Sequence, residues 1–137
     1  MKLLVVYDGS EPSIKALRYT LSIADSNDEL SILHVFDIES YTPLASEVQK
    51  SLDQIAMKYE AKFKKQLSNY IKDCRSKGIK INLLFKIGKV GDEVIKESID
   101  GGYSMLIIPY CERYSEKIDY IIIRALREFK GSILIVR

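Results

Sequence analysis

The chain has one histidine, two cysteines, three prolines and no tryptophan, and each scarcity closes off a class of chemistry. Cys74 and Cys111 stand far apart, outside any CxxC or Cys/His grouping. No metal site or disulfide framework is expected from them, only two idle thiols in a reducing, cytoplasmic compartment. His34 has no serine, cysteine or second histidine as an evident partner, so it reads as a packed strand residue and not as a catalytic base. Charge of one sign is scarce as well. With 21 Lys and Arg against 19 Asp and Glu, the net charge of +2 is too small to draw a nucleic acid. No apolar run is long enough to cross a bilayer, and in MKLLVVYDGS the apolar stretch is too short, and too soon followed by Asp8, for a signal peptide. Neither a nucleic acid nor a membrane is therefore an expected partner.

What is present suits one folded core. Apolar residues make up 47% of 137, so residues 1–137 are expected to form a single domain without a linker. Short apolar runs alternate with longer amphipathic segments, the pattern of βαβ units. Leu3 to Tyr7 is a continuous apolar run closed by Asp8-Gly9, as for a strand covered on both faces. Ser10 then offers a helix N-cap and Pro12 fits the first turn. Further strands are read at Leu30–Phe36, Ile79–Phe85, Met105–Ile108 and Ile133–Val136. Lys80, Asn82 and Lys86 interrupt the third, which suits an edge. Apolar residues from Val48 to Cys74 recur every three or four positions, so one straight helix is predicted over about 45–76, roughly 45 Å long. That overshoots a strand of about 20 Å. Gly78 suits its left-handed C-cap. Right-handed crossovers then give a doubly wound, open parallel α/β sheet of five strands, order 3-2-1-4-5, with helices on both faces.

In such a sheet, ligands bind beyond the carboxyl ends of the strands. The residues there are Asp8-Gly9-Ser10, Phe36-Asp37, Gly88-Lys89-Val90-Gly91 and Pro109-Tyr110-Cys111. An acidic phosphoacceptor site needs an acidic pair, a further Asp and a Lys at set strand ends, and Gly9, Ile87 and the chain terminus do not supply them. Asp8 can also simply bind the N–H groups of the turn that follows it. Gly88-x-x-Gly91 reads as a plain turn with Asp92 in the first turn of the next helix, although it could present N–H groups to an anion. Lys58, Lys62, Lys64 and Lys65 read as a solvated helix face.

The segments YDGSEPSIKALRYTLSIA, LHVFD and GKVGDEVIKES, in this order and spacing, resemble the universal stress protein family along nearly the whole chain. The resemblance implies a Rossmann-like fold of the adenine nucleotide hydrolase type and, in many members, an ATP site. It places Asp8 beside a ribose and the backbone of Val35 at an adenine, with Gly9, Ser10, Pro109 and Tyr110 completing a nucleotide site. The family wraps the phosphates in Gly-x-x-Gly, nine residues, then Gly-Ser or Gly-Thr. Here PYCERYSEKIDYIII has no glycine, and the Gly-Ser pair falls on Asp119-Tyr120. Glycines let backbone N–H groups approach phosphate oxygens. At about 6 Å and an effective dielectric near 20, each of Glu112, Glu116 and Asp119 would oppose a phosphate charge by roughly 3 kcal/mol before screening. ATP is therefore not expected in the family mode, and no cofactor or catalytic residue is expected.

The segment from Pro109 to Ser115, with Tyr110 foremost, is expected to fill the space that phosphates occupy in ATP-binding relatives. The leading reading is a stress-response signalling or binding module without a reaction of its own. A nucleoside- or mononucleotide-binding protein that keeps the adenosine half-site is the first alternative. A nucleotide hydrolase with relocated phosphate contacts is the second, and the acidic loop opposes it. The last strand, Ser132-Ile133-Leu134-Ile135-Val136, carries no charge, proline or bulge to protect an edge. A homodimer through that strand is expected, as the resemblance also implies, and an unknown protein partner would fit the signalling reading.

Overall fold

Alternating side chains on the central strand divide the interior into two layers. In the computed structural model, which describes residues 1–38, 47–112 and 115–137, strand β1 spans Lys2–Val6. Leu3 and Val5 point to one face and Leu4 to the other, the two-residue period of a strand. All three are fully buried, which is why the run contains no polar residue. The other strands are β2 (Glu29–Asp37), β3 (Lys80–Gly88), β4 (Met105–Pro109) and β5 (Ser132–Val136). They form one parallel sheet in the order β3-β2-β1-β4-β5, as the sequence predicts.

Helices α1 (Glu11–Ile23), α2 (Glu47–Gln66) and α3 (Ser68–Ser76) belong to one face. There Leu3, Leu17, Ile32, Phe63 and Leu67 form a common core. Helices α4 (Val90–Asp100) and α5 (Ser115–Glu128) cover the other, over Leu4, Leu33, Ile95 and Ala125. Each such leucine taken out of water contributes about 1.5–3 kcal/mol.

The predicted straight helix is broken. Residue 67 separates α2 from α3, with Leu67 at φ −93° and ψ 0°, in the bridge region between helical and extended backbone. The Ser68 hydroxyl donates to the Lys65 carbonyl at 2.9 Å, a back-bond of the kind that bends helices. Phe63, Leu67 and Cys74, on the two sides of the break and at it, are all buried against the sheet. Gly78 closes α3 at φ +74°, the left-handed cap expected of it. Among the described residues, no helix is long and apolar enough to cross a membrane.

Candidate functional site

The order reverses at β1, which lies between β2 and β4, so the chain leaves β1 and β4 toward opposite faces and a crevice opens between their carboxyl ends. A cavity of about 470 Å³ lies there. The turn after β1 supplies Tyr7, Asp8, Gly9 and Ser10 to its lining. Asp8 Oδ1 accepts the Ser10 N–H at 2.8 Å, so the turn-binding role foreseen for this carboxylate is present. Gly9 sits at φ +84°, and Ser10 caps α1 by accepting the Ser13 N–H at 3.4 Å. Beyond the ladder, the Tyr7 N–H donates to Leu33 O at 2.8 Å, tying this turn to β2. Burial pushes the Tyr7 phenol upward.

Val35 and Asp37 of β2, Pro109 of β4 and Val90 of α4 complete the rim together with Lys117, Ile118 and Ile121 of α5. Lys117 Nζ lies 2.6 Å from Asp37 Oδ2, joining residues eighty positions apart across the mouth. Asp37 is 16% exposed and Lys117 61%, so the carboxylate is fixed in the wall while the ammonium reaches in from solvent.

A second hollow, of about 350 Å³, shares Asp37, Val90, Lys117 and Ile121 and adds Lys89, Gly91, Asp92, Glu116 and Tyr120. A Cβ on Gly91 would lie 2.7 Å from Tyr120 Cε1, so this glycine lets the ring lie against the first turn of α4. Gly88 ends β3 and Gly91 lies in the first turn of α4, so Lys89 alone joins strand to helix where the sequence suggests a turn; Asp92 and Glu93 follow in that first turn, where acidic side chains complement the helix dipole.

Five of the six residues that the resemblance assigns to a nucleotide come together around the cavity: Asp8, Gly9, Ser10, Val35 and Pro109. Tyr110 does not line it. Its N–H continues the β4–β5 pairing to Val136 O at 2.8 Å, and its ring centre lies 5.8 Å from the Arg137 guanidinium. The expectation that Tyr110 plugs the cleft is thereby corrected, because its backbone and ring are both committed to the β5 edge. Arg113 and Tyr114, in the same segment, lie outside the described residues. Val90 and Asp37 are among the strand-end residues the sequence singles out, whereas Lys117, Ile118 and Ile121 escape it. The one available signal for Lys117 was its place in the first turn of the helix that follows β4.

His34 lies on the opposite face, stacked on Phe85 with 5.5 Å between ring centres and planes 4° apart. Among the described residues, its buried Nδ1 has no hydrogen-bond partner. Burial lowers its pKa below the ordinary 6.5, as a packed strand histidine requires. Cys74 is buried and Cys111 half-buried, both as free thiols. Among the described residues, no three His, Cys, Asp or Glu side chains are grouped to hold a metal ion. At the sheet's far edge β5 pairs only with β4 among the described strands, and Ile135 is 44% exposed there.

Residues 1–115 match the profile of the Universal stress protein family. Among solved structures, the fold is similar to universal stress protein UspA from Lactobacillus plantarum, at TM-score 0.81 and 11% identity over 100% of this chain and 97% of that one. It is also similar to a universal stress protein family protein from Arabidopsis thaliana with AMP bound, at TM-score 0.67 and 17% identity over 99% and 90%. A universal stress protein in complex with cAMP aligns at TM-score 0.62 and 15% identity over 100% and 96%. No curated protein matches the chain.

Proposed function

The chain belongs to the universal stress protein family, and from that premise we propose that it is a cytoplasmic, non-catalytic binding module whose cleft takes the adenosine portion of a nucleoside or nucleotide. The observation that carries this reading is the open cavity of about 470 Å³ between Asp8 and Val35. Its size and its mainly apolar wall with a few polar groups suit a small ligand. The AMP and cAMP held by two relatives of this fold favour an adenine compound. Asp8 keeps Oδ2 for a ribose hydroxyl while Oδ1 holds the turn. Val6, Val35 and Ile121 offer apolar surface to a base. No glycine follows β4 before Gly131, so the glycine loop that cradles a triphosphate in the family has no counterpart in this sequence, and the proposal is a site that neither holds ATP in the family mode nor turns it over. The module works as a homodimer, β5 pairing with its symmetry mate along the edge that exposes Ile135.

Thermal melting with added ligand tests the reading. Adenosine at a hundred times its Kd stabilises by about 2.7 kcal/mol, which raises the midpoint of a domain this size by about 9 °C. ATP with magnesium is expected to leave the midpoint where it is. A midpoint that no adenine compound moves overturns the reading.

A further inference from the structure

This inference deepens the reading above and rests on it: we infer that the cleft selects an uncharged nucleoside over its 5′-phosphates, with the Asp37 carboxylate as the selecting group. The wall of the larger cavity carries two carboxylates, Asp8 and Asp37, against one ammonium, Lys117. That ammonium already lies 2.6 Å from Asp37. The adjoining hollow adds Asp92 and Glu116 against Lys89, and Asp92 is joined to Arg124. With Arg124 set against Asp92, the side chains around a phosphate placed here still carry one more negative than positive charge.

A neutral ligand leaves the Asp37–Lys117 pair in place. It spreads its base over Val35, Val90 and Ile121 and turns its hydroxyls toward Asp8. A phosphate competes with Asp37 for the Lys117 ammonium or shares it, and either way lies beside a carboxylate whose side chain is only 16% exposed. The new dianion then faces that fixed charge where poor solvation weakens screening. The exposed lysine contributes little on its own; the fixed acid sets the preference. Backbone N–H groups cannot compensate through a glycine loop, because residues 109–123 contain no glycine.

Calorimetric titration of the whole chain with adenosine and with AMP at physiological salt tests this. Adenosine is expected to bind about tenfold or more tightly than AMP. Asp37→Asn releases Lys117 and removes one negative charge, so it is expected to bring the ratio of AMP to adenosine affinity to about one, the ratio being the readout. Lys117→Gln, an exposed change that leaves the fold intact, is expected to widen the gap in favour of adenosine. AMP binding as tightly as adenosine in the wild type overturns the inference and leaves the adenosine reading standing. Asp37→Asn or Lys117→Gln changing both affinities by one factor does the same. Failure of both compounds to bind overturns the adenosine reading itself, and this inference with it.

Discussion

Replacing Gly9 by alanine separates what the turn after β1 does for the fold from what it does for the cleft. Gly9 has φ +84°, and an added Cβ would meet only Gln66 Oε1, at an ordinary 3.5 Å. The cost is therefore one of backbone conformation and not of collision. A left-handed conformation costs an L-residue about 1–2 kcal/mol, and about 0.4–1 kcal/mol of that is offset because alanine restricts the unfolded chain. The net loss is about 1 kcal/mol. Unfolding entropy scales to about 0.3 kcal/mol per kelvin for 137 residues, so the midpoint is expected to fall by about 3–4 °C. Gly78→Ala is the matched control. It has φ +74° and an added Cβ would lie 3.4 Å from Ser26 Cβ, but it caps α3 at the amino end of β3, away from the cleft. Circular dichroism melts are expected to show the same loss for both variants. Calorimetry is expected to show weaker adenosine binding for Gly9→Ala alone, since only that turn carries Asp8. A Gly9→Ala midpoint within about 1 °C of wild type refutes the backbone argument. Equal loss of adenosine affinity in Gly78→Ala refutes the placement of the site.

Two further outcomes are expected. His34 has a folded pKa below 6.5 because of burial; its contribution to stability is present above pH 6.5 and lost as the pH falls through the folded value. The imidazole resonance, unique in this chain, is therefore expected to titrate below 6.5, and His34→Phe to flatten the fall in melting temperature on acidification; titration at or above 6.5 contradicts this. Ile135→Pro removes an N–H from β5 and is expected to shift a dimer toward monomer in sedimentation equilibrium, whereas a wild type already monomeric at tens of micromolar ends the dimer proposal.

The strands were readable because a parallel sheet covered on both faces leaves no room for polar residues, and Leu3–Tyr7 and Met105–Ile108 show it. The break at residue 67 was not, because the apolar period runs through Phe63, Leu67, Ile71 and Cys74 without a fault. The break shows only in the backbone of Leu67, at φ −93° and ψ 0°, which no apolar period records. For the cleft, the turn Asp8-Gly9-Ser10 could be found from its own chemistry, since a carboxylate, a flexible residue and a capping hydroxyl are all local signals. Tyr110 could not be placed, because its direction depends on β5 and Arg137, residues that follow it by more than twenty positions. The Asp37–Lys117 pair joins two elements through the packing of α5 on the sheet, which no local pattern records. The features that set the cavity's shape and charge are thus the long-range ones.

The most direct test of the account is a crystal structure of the chain grown with adenosine. The nucleoside is expected in the cavity, its ribose hydroxyls at Asp8 Oδ2, its base beside Val35, and the Lys117–Asp37 pair intact. An empty cavity at saturating adenosine, or adenosine bound elsewhere on the surface, would contradict it.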